Sequence, residues 1–209
     1  MTLIKKTSMN ALLALAVICL GCSSGPPTKA PASNTEQPAA VQTETGRFAL
    51  QRMLVPARGW SADAMPVRLE STNLKGSNGH DGKANFWRAL FASPGRQKSE
   101  PFTWAGMATE DTPRGVNHGV EDTYNAANRA SRPFDLNFLK VDTDKAFEVA
   151  QEHGGKKLLE KDPKVNVGYL LDFDAQSNQL RWHVIYGGES IGKLTVLVDA
   201  SSGSFLRKE

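Results

Sequence analysis

Apolar residues fall at every second position from Val165 to Phe173: Val165, Val167, Tyr169, Leu171 and Phe173. An unbroken period of two predicts a β-strand with one buried face. Leu180, Trp182, Val184 and Tyr186 repeat the pattern, and Leu194, Val196 and Val198 repeat it once more. Ala175 to Asn178 and a segment opening with Gly187-Gly188 supply the turns between them, and Asp199-Ala200-Ser201-Ser202-Gly203 closes the last. Upstream, Asp142 or Thr143 caps a helix predicted over Asp144 to His153, with Ala146, Phe147, Val149 and Ala150 on its apolar side and Gly154-Gly155 at its end. A lysine-rich connection containing Leu158 and Leu159 leads to the first strand. One amphipathic helix is thus available to cover one face of a three-stranded antiparallel sheet.

The same order of elements occurs earlier in a noisier form. Phe48 to Arg58 has helical spacing (Ala49, Leu50, Met53, Leu54, Ala57), with Pro56 expected to kink or end it. A strand begins at Val67 and Leu69 and reaches about Leu74. Lys75 to Gly82, with glycines at 76, 79 and 82, is a loop. Trp87, Ala89 and Phe91 alternate in a second strand, with Phe86 and Leu90 on its other face, and Ser93-Pro94-Gly95 turns the chain. Phe102 and Trp104 belong to a third strand, where Pro101 argues for an edge position. Trp87 and Trp182 occupy equivalent places. The pattern predicts an α+β fold of two tandem units, each a helix plus a three-stranded antiparallel sheet, over residues 46–106 and 142–209. Between them runs a connector, 107–141. A helix is predicted over Val120 to Ala130, and Phe134, Leu136, Phe138 and Leu139 are expected to pack across the join.

Ahead of the folded part, Ser23 to about Thr45 is rich in Pro, Ala, Ser and Thr, and Val41 is its one aliphatic residue larger than alanine. Such a segment buries too little apolar surface to offset its ordering entropy, so residues 22–45 are expected to be a disordered tether. Before it stand Lys5 and Lys6, an apolar run from Ala11 to Leu20, and Leu20-Gly21-Cys22. The run is well short of the roughly 20 residues that span a bilayer. It reads as a signal segment, residues 1–21. Leu20-Gly21-Cys22 resembles the lipobox of bacterial lipoproteins, with Cys19 where that family usually has leucine. The resemblance implies cleavage before Cys22, lipidation of Cys22 and attachment to a membrane of the cell envelope. Ser23 in place of aspartate favours the outer membrane, on its periplasmic face, if the organism has two membranes.

Loss of residues 1–21 lowers the formal charge from +3 to +1, with 23 basic against 22 acidic side chains. That balance makes no strong electrostatic case for nucleic acid or for an anionic membrane. Cys19 leaves with the signal and Cys22 carries lipid, so no thiol remains for a disulfide, a nucleophile or a cysteine metal site.

Two segments resemble a known module. Asp144-Lys-Ala-Phe-Glu-Val-Ala-Gln-Glu-His153, followed by strands and by Val198-Asp-Ala-Ser-Ser-Gly203, is similar to the PepSY domain over residues 142–207. Residues 46–106 resemble it more loosely. Trp104-Ala105-Gly106 stands where the closing Val-Asp-Ala-x-x-Gly is expected, so the first unit is assigned by position. PepSY domains occur in propeptides of secreted peptidases and in envelope proteins. The resemblance implies a small non-catalytic module that binds or restrains a protein or peptide partner, such as a peptidase.

Motifs for chemistry are sparse. His80, His118, His153 and His183 show no i, i+4 zinc spacing and no His-Glu-x-x-His. His183 reads as a surface strand residue and His153 as a last-turn helix residue. His80 and Asp81 read as turn formers. Asp172, Asp174 and Asn178 frame a hairpin without the glycine and closing glutamate of a calcium loop. Gly188-Glu189-Ser190-Ile191-Gly192 is not a nucleophile elbow between strand and helix. We therefore expect no catalytic residue, no metal and no cofactor. Trp60 and Trp104, near element ends, are the candidates for exposed partner contacts, whereas Trp87 and Trp182 belong to the core. The expected function is a lipid-anchored module for an envelope protein or peptide. The alternatives are a structural envelope lipoprotein acting through assembly, and a small-ligand binder or hydrolase using a cleft between the units.

Overall fold

The computed structural model describes residues 40–128, 132–187 and 193–209. The signal segment, Cys22 and the expected tether up to residue 39 lie outside them; its expected last residues belong to the fold instead, the Gln42 N–H donating to the Gly106 carbonyl at 3.1 Å and Glu44–Thr45 pairing as a strand. The predicted strands are present as β2 (Met65–Thr72), β4 (Phe86–Ser93), β5 (Lys98–Ala105), β8 (Val167–Asp174), β9 (Gln179–Tyr186) and β10 (Leu194–Asp199). Shorter strands fill in around them: β1 (Glu44–Thr45) pairs with β3 (Lys83–Ala84), β6 (Gly115–His118) and β7 (Asp122–Thr123) pair with β5, and β11 (Phe205–Lys208) pairs with β10.

The fold is α+β, but the two sheets expected from the sequence are one. Nine antiparallel strands run in the order β11-β10-β9-β8-β2-β4-β5-β6, with β7 also on β5. The two meanders join through their first strands, where Arg68 lies opposite Asp172, Leu69 opposite Leu171 and Glu70 opposite Leu170. An unpaired strand edge exposes a row of backbone donors and acceptors. Each meander supplies the pairing partner for the other's first strand.

Two helices cover one face. α1 (Gly46–Trp60) packs on β2, β4 and β5, and α2 (Thr143–Ala150) packs on β9 and β10. As expected, Trp87 and Trp182 are fully buried there. Their indole N–H groups make matching bonds: Trp87 Nε1 donates to the Glu44 carbonyl at 3.0 Å and Trp182 Nε1 to the Val141 carbonyl at 2.9 Å. Each carbonyl stands two residues ahead of its own helix. Gly46 wedges between the rings, and a Cβ there would lie 2.6 Å from Trp182 Cη2 and 3.1 Å from Trp87 Cη2.

The helices meet at their N-termini. Asp142 Oδ1 accepts from the backbone N–H of Thr143 at 2.7 Å and of Arg47 at 2.8 Å, while Oδ2 accepts from Thr45 Oγ1 at 2.6 Å. Thr143 Oγ1 accepts from the Gly46 N–H at 2.9 Å. Both positive dipole ends therefore share one carboxylate, which satisfies orphan donors of two helices.

Several local expectations are corrected. Pro56 does not end α1, which continues to Trp60. Pro56 is exposed, and burial of Ala57 holds the last turn in place. The break expected at Gly154-Gly155 is present, since His153 (φ −100°, ψ 27°) and Gly154 leave the helical range, but a further helix follows at once. A π-turn (Gln151–Gly155), with Gly154 at φ 118°, leads directly into α3 (Lys156–Lys161). The turn leaves room for Tyr186: a Cβ on Gly155 would lie 2.0 Å from its hydroxyl oxygen, to which Gln151 Nε2 donates at 2.7 Å. β5 is not an edge strand. Pro101, lacking an N–H, falls between the stretches paired to β6 and β7, where the Gly119 N–H donates to its carbonyl at 2.8 Å. The helix predicted over Val120 to Ala130 is absent through residue 128, because pairing with β5 recruits that backbone instead. In the connector, Phe134 and Leu139 are buried in the core, while Phe138 is exposed.

Candidate functional site

Strand alternation sends Glu70, Thr72, Gly168, Asp172, Arg181, His183 and Ile185 to the face opposite the helices. No helix packs on that face among the described residues. Tyr124 covers its far end, against Val67, Ala92 and Leu90. The central feature of the face lies at the seam. Backbone pairing of β2 with β8 stops at Glu70 and Leu170. Beyond that point side chains replace the ladder: Ser71 Oγ accepts from the Tyr169 N–H at 2.9 Å, and Asn73 Nδ2 donates to the Val167 carbonyl at 2.7 Å. The opening forms a groove of about 360 Å³ lined by Glu70, Ser71, Thr72, Asn73, Asn166, Gly168, Tyr169 and Ile185.

Its floor is open because Gly168 carries no side chain. A Cβ there would meet nothing nearer than Ser71 Oγ at 4.0 Å. Glu70 is held by Arg68 Nε at 3.0 Å and approached by Arg88 Nη1 at 3.8 Å. The remaining walls are hydroxyls, carboxamides and apolar carbons. The site thus offers neutral hydrogen-bonding groups beside an apolar patch, with its one carboxylate already paired.

The glycine loop forms a brace behind this groove. The Val167 N–H donates to the Asn78 carbonyl at 2.8 Å, and His80 Nε2 lies 2.6 Å from the Val165 carbonyl. Tyr169 Oη donates to the Gly79 carbonyl, and burial pushes the Tyr169 phenol well above its ordinary range. Gly79, at φ 76°, is obligatory, since a Cβ would lie 1.9 Å from the Val167 oxygen.

Lower on the same face, Asp172 and Asp174 hold Arg181. Asp172 Oδ1 accepts from Arg181 Nε and Nη2, each at 3.3 Å, and lies 3.0 Å from His183 Nε2, while Asp174 Oδ2 accepts from Arg181 Nη1 at 2.9 Å. Burial pushes Asp172 up, but the hydrogen bond from His183 and the charges of His183 and Arg181 outweigh it and leave Asp172 lowered. His183 is therefore packed into an ionic cluster and not a plain surface residue; its side chain is 13% exposed. His153 stacks on Phe205 with ring centres 3.8 Å apart, and His118 Nδ1 lies 2.7 Å from the buried carboxylate of Glu100.

The tryptophan candidates separate. Trp104 is 3% exposed and belongs to the core, so it offers no surface contact; its position on the helix-covered face of β5 decides this. Trp60 is half-buried at the end of α1. Its Nε1 donates to Glu121 Oε1 at 2.6 Å, and the Arg96 guanidinium sits 5.0 Å above its ring and also binds Glu121. Neither ring lines the groove. Cys22 lies outside the described residues. The groove residues were not singled out from the sequence. The available signal was Gly168, which interrupts the outward face of an otherwise well-formed strand, beside the polar run Ser71-Thr72-Asn73.

The fold is similar to that of a crystal structure from Clostridium difficile 630 carrying the description "putative lipoprotein". The TM-score is 0.52, with 14% identity, over 77% of this chain and 91% of that one. At that identity the likeness shows the fold alone. No protein-family model matches the chain, and no curated protein matches it.

Proposed function

We propose that this chain is a lipid-anchored cell-envelope protein whose two tandem PepSY-like units form a non-catalytic binding module, and that the seam groove receives a protein or peptide partner. The lipobox-like Leu20-Gly21-Cys22 supports anchoring, and so does the description of the structurally similar clostridial protein. The observation that carries the binding reading is the groove itself, open at Gly168 on the face that no described helix covers. Docking on a sheet edge is less well supported. The outer strands β6 and β11 are four residues each, and β11 carries Arg207 and Lys208, features that discourage edge pairing. A binding role also suits the ionic groups of this face, since Asp172, Asp174 and His183 are engaged around Arg181.

The groove volume also falls within the roughly 300–1,000 Å³ range of small-ligand sites, which favours a small polar ligand as the second reading. A photo-crosslinker placed at Thr72 in cells separates the two. Partner binding predicts discrete protein adducts that disappear when Gly168→Phe fills the groove. Adducts that persist unchanged in a folded Gly168→Phe chain would refute groove docking. Palmitate incorporation that is lost in Cys22→Ser tests the anchor separately.

A further inference from the structure

The helix that follows the expected tether has an unusual outer face. α1 contains Arg47, Arg52 and Arg58 and no acidic residue. Its inner side, Ala49, Leu50, Met53 and Ala57, is buried. At the centre of the outer side stand Phe48, 46% exposed, and Val55, 75% exposed, two turns apart. Helical spacing puts Arg47 and Arg58 along one flank of this apolar strip and Arg52 along the other. Arg52 lies 4.8 Å above the Phe48 ring and 3.3 Å from Glu44, whereas Arg47 and Arg58 make no ion pair among the described residues. Beside the strip, Arg47 and Gln51 line a cleft with Leu136, Asn137 and Leu139 of the connector, which also carries Phe138, 52% exposed. The exposed carboxylates of the other helical segments lie at Asp144 and Glu148 on α2, Glu152 in the π-turn and Glu160 on α3.

A short apolar strip flanked by arginines is the pattern of a surface that rests in the headgroup region of a bilayer, with guanidinium groups reaching to phosphate. α1 starts at Gly46, 24 positions after Cys22, so a tethered domain has this face within reach of the membrane. We infer that the outer face of α1 docks on the anionic phospholipid surface to which the chain is anchored. This rests on the anchoring reading above. Docking through α1 turns the helix layer toward the membrane and leaves the groove, on the opposite face of the sheet, pointing away from it.

The test uses the chain from Ser23 onward, which carries every described strand and helix and no cysteine. Val55→Cys then provides a unique attachment point for an environment-sensitive fluorophore. Presented with millimolar vesicles of phosphatidylcholine and phosphatidylglycerol, the label is expected to shift to the blue and to be quenched by spin-labelled lipid. Vesicles of phosphatidylcholine alone produce neither effect. Arg47→Gln and Arg58→Gln each weaken apparent partitioning about fivefold, and Phe48→Ser weakens it further without altering the far-ultraviolet circular dichroism. No spectral response to the anionic vesicles overturns the inference. So does a response that is equal in both lipids and indifferent to the arginines. Because the chain tested carries no lipid, its outcome is independent of acylation. Failed anchoring shows instead as missing palmitate on the full chain.

Discussion

The two halves of the sheet solve the same problem with different resources. Both place a helix over a three-stranded meander, and both bury a tryptophan on the middle strand whose indole donates to a carbonyl just ahead of the helix. Their helix starts differ. α2 has its own N-cap in Asp142, whereas Thr45, ahead of α1, makes no capping bond with its side chain. The first half borrows the second half's carboxylate through the Arg47 N–H and Thr45 Oγ1. The loops differ in the opposite sense. A four-residue turn joins β8 to β9, while residues 73–85 of the first half form a long brace that grips the start of β8. Each half is therefore incomplete at the place where the other is elaborated. We read the pair as one cooperative unit and not as two independently stable modules.

Gly46 gives the strongest test of that reading. Within a helix, Gly→Ala usually stabilises by about 0.5–1 kcal/mol. Here the added methyl would strike two buried indoles, one from each half. Gly46→Ala is expected to destabilise the whole chain by about 3 kcal/mol in a single transition, as overpacking does. Two separate denaturation transitions, with only one displaced, would break the comparison. Asp142→Ala comes next, at about 2–3 kcal/mol, because it uncaps two helices whose positive ends face each other. Thr45→Ala is expected to cost about 1 kcal/mol or less. Equal losses for the two substitutions would show that α1 does not depend on the borrowed cap.

Acid sensitivity sharpens the contrast further. Hydrogen bonds from Ser93, Ser61 and the Gly95 N–H lower Asp63 from 3.8 to about 2 in the first half. Asp172 in the second half is lowered despite its burial, through His183 and Arg181. In both cases the folded value lies below the unfolded one. The stabilisation is fully present above about pH 4 and is lost as pH falls through the folded values. Asp63→Asn and Asp172→Asn should each flatten the acid limb of the stability profile below about pH 4, and the effect of Asp63→Asn should persist to about pH 2. Urea midpoints between pH 2 and pH 5 measure this. Gly168→Phe should have the smallest effect on stability, within about 0.5 kcal/mol, since its side chain enters an open groove. A large loss there would mean that the groove closes in solution. The pair Gly46 and Gly168 thus separates a glycine required by packing from one that leaves a groove open.

Much of this was legible along the chain. Alternation identified the six long strands, and the spacing of Ala146 and Ala150 identified the buried side of α2, because burial of one face writes its period directly into the sequence. The burial of Trp87 and Trp182 followed from the same parity. Trp104 obeys that parity too, yet its place near a strand end suggested exposure, which the overlying α1 prevents. Pro101 pointed to an edge, because the residues that pair around it come from a connector with no strand-like pattern of its own. β11 is likewise too short to show a period.

What the sequence alone determined is local: which residues are strand, which side of each strand is apolar, and a signal-like start whose resemblance points to Cys22. The tertiary structure decided how the two meanders meet. Register between β2 and β8 depends on backbone pairing across about a hundred intervening residues, and no local pattern encodes it. The shared cap at Asp142, the brace from the glycine loop and the groove where the seam opens all follow from that one long-range pairing. They arise where the backbone ladder runs out and side chains from distant parts of the chain must satisfy the groups left behind.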